Sequence, residues 1–284
     1  MNILKYIKTN IEILVFFVLL IFLSILILRR SWEGFFNEQN GINRLDAIIY
    51  INLENRGDRK DLLMKELEKL NTNMGKVHKL SGVYIPKNGH KGCIQSHILA
   101  LNMIKLNKWK RVLILEDDAE LDMGPEAFND MLNKTLDTLD DKNSNWDVIM
   151  LGTANKVIDD KFSPISISIS IESPVPPESQ PSKSSNNNNS TSESLQTLQI
   201  QKLTTATTSS AYIVKNTYVD NILNLFNNCN DNMVSDKLSG QGFEHWALDQ
   251  KWADLQRKDN WFVLDKDPIK QRAIWSTILK ESHS

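Results

Sequence analysis

The chain has 284 residues, enough for one sizeable domain with accessories. Its 33 Lys and Arg against 35 Asp and Glu leave a formal net charge of -2, and the basic residues form no stripe, which argues against an electrostatic nucleic-acid binder. Two cysteines, Cys93 and Cys229, can pair only once, so a disulfide scaffold is excluded.

The first element is apolar. "ILVFFVLLIFLSILIL" at 13–28 has Ser24 as its one polar residue, and with Ile11 and Glu12 it reaches about 27 Å as a helix, close to a bilayer's hydrocarbon thickness. Arg29, Arg30, Ser31 and Trp32 follow in place of a small-residue cleavage site. That favours an uncleaved single-pass anchor over residues 1–30 rather than a signal peptide. Lys5 and Lys8 balance Arg29 and Arg30, so the orientation is open, with the secretory lumen favoured in a eukaryote. In a lumen, Asn133 in "NKT" and Asn188 in "NNS" become glycosylation acceptors. Residues 31–45 read as a polar stem.

The main domain spans 46–284. "AIIYINL" at 47–53 reads as a strand buried on both faces. A helix follows over 58–71 with Asp58 as its N-cap, then a short strand at 77–80 and a second helix over 93–107. The strand 112–116, a helix from Pro125 to about Leu139 and the strand 146–151 continue the alternation, which predicts a mostly parallel α/β sheet. From about 163 to 201 the composition turns to Ser, Asn and Pro, and this segment reads as a low-complexity surface insertion. Within it "ISISISI" alternates with period two and offers an edge strand. Folded sequence resumes near Leu203, with a helix over 216–226 and the closing stretch "FEHWALDQKWADLQRKDNWFVL".

The chemistry concentrates where the strand "RVLILE" runs into Glu116, Asp117 and Asp118. Adjacent like charges repel unless a positive charge sits among them. The carboxyl ends of parallel strands are where open α/β sheets bind ligands, and alternate residues there share a face. Glu116 and Asp118 therefore suit one hard cation, Mn²⁺ or Mg²⁺, completed by water and substrate phosphates. A solvated acidic turn is the plain alternative. A P-loop is absent, and the strand "WDVIML" ends in Leu151 and Gly152 where a phosphoacceptor receiver needs Asp.

The stretches "YINLENRGDRKDLLMKEL" at 50–67, "GCIQSHILAL" at 92–101 and "VLILEDDA" at 112–119 together resemble glycosyltransferase family 25; "TTSSAYIV" at 207–214 and "HWALDQKW" at 245–252 add weaker matches. The resemblance implies a GT-A-like nucleotide-sugar-binding fold. It also implies a metal held by Glu116 and Asp118, with Asp117 beside the sugar-nucleotide. The implied reaction moves a hexose, galactose or glucose, from a UDP-sugar to a glycan, glycolipid or protein hydroxyl with inversion. A catalytically silent sugar- or nucleotide-binding scaffold on the same fold is the rival.

Asn52, Arg56 and Arg59 follow the first strand, where a nucleotide base or diphosphate would lie; charges on a helix surface are the alternative. Ser96 and His97 lie after a glycine-rich turn, as ligand contacts or as packing, and Cys93 reads as packing. His245 and Asp249, four apart, share a helix face, which makes Asp249 the candidate general base and His245 a third metal ligand. Ordinary solvent-facing residues are the alternative. Trp246, Trp252 and Trp261 read as core rather than a sugar-stacking rim.

Overall fold

The computed structural model describes residues 18–24, 40–142, 145–172, 193–233 and 244–273. Of the apolar run 11–28, residues 18–24 are helical and exposed and the rest lies outside the described residues. No described helix is long and apolar enough to cross a membrane. The domain begins earlier than expected, because Ile42 and Leu45 of the assigned stem are each 1% exposed in the core.

The elements follow as β1 (Ala47–Asn52), α1 (Gly57–Lys69), β2 (Val77–Ser81), α2 (Gly89–Asn107), β3 (Arg111–Glu116), β4 (Ala119–Leu121) and α3 (Pro125–Asp141). Then come β5 (Val148–Ile158), β6 (Ile165–Glu172), β7 (Glu193–Lys215), α4 (Val219–Asn232), α5 (Leu248–Lys251), α6 (Ala253–Gln256), β8 (Trp261–Leu264) and β9 (Ile269–Gln271). The apolar runs of β1 and β3 make central strands because both their faces are covered. Leu63, Leu67, Phe128, Met131, Leu132 and Leu136 of α1 and α3 pack one face of the sheet. Ile94, Leu101 and Ile104 of α2, with Ile222 and Phe226 of α4, cover the other. Trp252 and Trp261 are fully buried in that second layer, as core.

The sheet order is β2-β1-β3-β7-β5-β8. β1, β2 and β3 are mutually parallel, and β5 and β8 are parallel to each other. β7 runs antiparallel to both β3 and β5, so it is a reversed strand wedged into a sheet that otherwise shares one direction. Alternation of strands and helices predicts no such reversal. It follows from the antiparallel pairing of β6 with β7, which gives β7 the opposite direction to its neighbours.

That pair corrects the boundaries of the insertion. "ISISISI" is β6, paired residue by residue from Ile165↔Ile200 to Glu172↔Glu193. Ile167, Ile169, Leu198 and Ile200 are buried in the main core against α3. The alternation of Ile and Ser is thus a one-face-in, one-face-out strand, and of the segment 163–201 residues 173–192 lie outside the described residues. Two smaller expectations also change. Asp58 lies in the first turn of α1, after an N-cap position occupied by Arg56. Asn133 sits inside α3 with its side-chain oxygen accepting the Gly41 N–H at 2.8 Å, so its amide is committed to packing; Asn188 lies outside the described residues.

Candidate active site

Strand β3 delivers Glu116 to the carboxyl rim of the sheet, and Asp117 and Asp118 form the turn into β4. Asp117 and Asp118 are 7% and 3% exposed, which makes an unneutralised pair of charges costly. The positive group among them is Arg59. It comes from the first turn of α1, 7% exposed, and donates from Nη1 to Asp117 Oδ1 at 2.8 Å and to Asp118 Oδ2 at 3.2 Å. Arg59 is therefore a buried ion-pair partner rather than a helix-surface charge. Asn52, at the end of β1, donates from Nδ2 to Asp117 Oδ2 at 2.8 Å and to the Arg56 carbonyl at 2.8 Å. These bonds tie Asp117 to β1 and α1 at the end of β3. Arg56 forks onto Asp58, at 3.0 and 2.9 Å, and holds that carboxyl down at about 2.

Asp118 is different. Its Oδ1 is buried with no hydrogen-bond partner among the described residues. Burial first, then the charge of Glu116, pushes its pKa up to about 7 despite Arg59. A buried carboxylate oxygen without a donor is the environment a cation relieves.

Glu116 turns toward α2. Its Oε1 accepts a short hydrogen bond from Ser209 Oγ and lies 3.4 Å from His97 Nε2. Burial raises the Glu116 pKa, but His97, Ser209 and Arg59 outweigh it and keep the carboxyl below its usual range. His97 is fully buried, with Nδ1 2.9 Å from the Tyr212 hydroxyl. Ser96, on the next position of α2, is a packing residue: its hydroxyl accepts the Val83 N–H and donates to the Gly92 carbonyl, both at 2.8 Å. Gly92 is required there, since a Cβ would lie 2.4 Å from the Val83 oxygen.

Across the rim, β7 carries a bulge. Gly152 pairs with Ala211 and Ala154 with Thr207, so Thr208, Ser209 and Ser210 stand opposite Thr153 alone. Thr208 adopts φ 72°, a strained backbone for a β-branched residue. The distortion aims three groups: the Ser209 hydroxyl at Glu116, the Thr208 N–H at Asp249 Oδ2 (3.0 Å), and the Thr208 hydroxyl at Gln271 Oε1 (3.2 Å). Bulges commonly re-aim side chains beside active sites. Asp249 is thereby brought to the same end of the sheet as the acids. Burial raises its pKa, the Thr208 N–H opposes this, and the Glu116 charge adds to it.

His245 is not brought there. It belongs to a 3₁₀ turn over Glu244–Trp246, and Ala247, with φ -58° and ψ 139°, breaks the chain before α5 begins. His245 and Asp249 thus share no helix face. The imidazole is exposed, with Nε2 2.7 Å from Lys251 Nζ and its ring against Trp246.

A cavity of about 520 Å³ opens beside the bulge, lined by Gly152, Thr153, Thr208, Ser210, Asp267 and Gln271 among others. A Cβ on Gly152 would meet the Ser210 hydroxyl at 2.8 Å and the Ile269 carbonyl at 2.9 Å, so glycine there keeps β7 and β9 close. The Arg272 N–H donates to the Asp118 carbonyl at 2.7 Å, tying this wall to the acidic turn. Ser209, Ser210 and Tyr212 lie within "TTSSAYIV", where motif reading assigns them no individual role, and it does not single out Arg272 at all. The signal for the two serines is the polar "TTSS" preceding an apolar strand end.

Among solved structures, mannose-1-phosphate geranyltransferase from Thermus thermophilus aligns at 10% identity and TM-score 0.36, covering 82% of this chain and 75% of that one. The apo form of a UDP-glucose pyrophosphorylase aligns at 9% identity and TM-score 0.34, covering 80% and 74%. Scores this low support no assignment. No curated protein matches the sequence. The family model described as glycosyltransferase family 25 (LPS biosynthesis protein) matches residues 87–239, more than half of the chain and the part that holds α2, the strand-end acids and the β7 bulge. The chain belongs to glycosyltransferase family 25, and it is a glycosyltransferase.

Proposed function

We propose that the chain transfers a hexose, galactose or glucose, from a UDP-sugar to a hydroxyl of a glycan, glycolipid or protein, with inversion, on a GT-A-like fold. The observation that carries the reading is the buried, unpartnered Oδ1 of Asp118 at the carboxyl rim of the sheet. Asp118 would hold a divalent Mn²⁺ or Mg²⁺ as its principal carboxylate; Glu116 contributes its charge nearby, and His245 is left out of the set. Such a cation supplies Lewis-acid stabilisation to a departing diphosphate.

The chain's own residues supply the rest. Arg59 and Asn52 fix Asp117 and the turn, so that Asp118 keeps one oxygen directed away from the guanidinium. Asp249, oriented by the strained Thr208 N–H, accepts the proton of the acceptor hydroxyl. Burial and the Glu116 charge raise its pKa, which makes it a stronger base than an exposed Asp. The cavity beside Thr208 receives the acceptor or the sugar.

A screen of UDP-sugars for hydrolysis and transfer, with Mn²⁺ and with EDTA, tests the reading. The expected result is cation-dependent release of UDP from one or two donors, reduced about 10²–10⁴-fold by Asp249→Asn. Full turnover in EDTA would remove the cation from the account. The apolar run 11–28 is the proposed single-pass anchor, checked by retention of the full chain in a carbonate-washed membrane pellet.

A further inference from the structure

We infer that Cys93, His97 and Glu116 form a second metal site, separate from Asp118 and selective for a thiophilic ion, Zn²⁺ in the cell. Cys93 and His97 lie one helical turn apart on α2 and so share a face, which points at the end of β3. The Cys93 sulfur, a His97 ring nitrogen and a Glu116 carboxylate oxygen all lie within 4.8 Å of one another.

The spacing is compatible with a shared ion. His97 Nε2 and Glu116 Oε1 are 3.4 Å apart. A good N–H···O bond is about 2.9–3.0 Å. Two ligands about 2.0–2.2 Å from a tetrahedral zinc lie about 3.4 Å apart, the edge of the tetrahedron. The separation is therefore long for a hydrogen bond and right for two ligands.

The surroundings fit as well. A ligating imidazole usually has its other nitrogen held by a polar partner, and ligating carboxylates are themselves hydrogen-bonded. Here Tyr212 holds His97 Nδ1 at 2.9 Å and Ser209 holds Glu116. His97 is fully buried and Cys93 and Glu116 are partly buried, and a water would complete the set as fourth ligand. A sulfur, nitrogen and oxygen set selects zinc or cobalt over Mg²⁺ and Mn²⁺, and binding displaces the Cys93 proton. The bound ion would clamp the start of α2 onto the rim where Asp118 works.

The test is anaerobic titration of the metal-free full chain with Co²⁺, read by the thiolate-to-cobalt charge-transfer band and by competition with Zn²⁺. The expected result is one Co²⁺ per chain with a strong band. Cys93→Ser and Cys93→Ala abolish the band, Cys229→Ser keeps it, and Tyr212→Phe weakens affinity about 10–100-fold. Asp118→Ala retains the band, and this arm separates the site from the cation of the proposed transfer reaction. A wild-type chain without the band, a band that survives both Cys93 substitutions, or a band lost with Asp118→Ala would overturn the inference.

Discussion

At the scale of single residues, Arg59 and Asp118 define the site by opposite means. Arg59 satisfies two buried carboxylates from one guanidinium nitrogen, so removing it strands both charges. Arg59→Ala is expected to lower stability by about 3–5 kcal/mol, the cost of breaking a buried ion pair from one side. Denaturant unfolding checks this, and a loss below about 1 kcal/mol would show that water reaches the acids. Asp118 instead carries a folded-state pKa of about 7 against about 3.9 when unfolded. Between those values the folded protein binds the extra proton, so stability in EDTA falls as pH rises from about 4 to 7. Asp118→Asn removes the ionised group. The variant should melt above wild type at pH 8 in EDTA and close to it at pH 4, with each kcal/mol recovered worth about 2–4 °C. A variant that melts below wild type at pH 8 would mean that its pair with Arg59 outweighs the burial cost.

At the scale of elements, the β6–β7 pair is where composition misleads. Ser, Asn and Pro across 163–201 suggest an insertion, yet Ile167 and Ile169 point inward on one face of β6 and bury against α3. Ile169→Ala should therefore cost about 2–5 kcal/mol, as for other buried aliphatic truncations. Replacing 173–192 with a short Gly/Ser linker should shift the midpoint little, because loop-closure entropy changes slowly with length. A neutral Ile169→Ala would return β6 to the status of a surface insertion. The helices were readable because Leu63 and Leu67, or Phe128, Leu132 and Leu136, recur at helical spacing, a local property. The reversal of β7 and the pairing of β4 with β9 depend on partners far away in the sequence, which no local period encodes. The site divides the same way. Glu116, Asp118 and Asp249 were visible as acids at strand ends or in motifs, whereas the burial of Arg59 and the aim of Ser209 follow from a bulge that only the register reveals.

At the scale of the molecule, a sheet with a single reversed strand gathers residues from distant stretches at one rim. α1 supplies Arg59, β3 the acids, β7 the bulge and α5 the candidate base. Most of those groups neutralise one another and set the geometry. Asp118 Oδ1 alone among the three strand-end acids keeps a buried oxygen without a partner among the described residues. That atom is where the account of a cation-dependent UDP-sugar transferase is most exposed to failure. Calorimetric titration of UDP onto the full chain, in Mn²⁺ and in EDTA, for wild type and Asp118→Ala, reads it directly. The account predicts saturable UDP binding to wild type in Mn²⁺, at least tenfold weaker binding in EDTA, and no further effect of EDTA on the already weakened variant. Equal UDP affinity in all four conditions would contradict it.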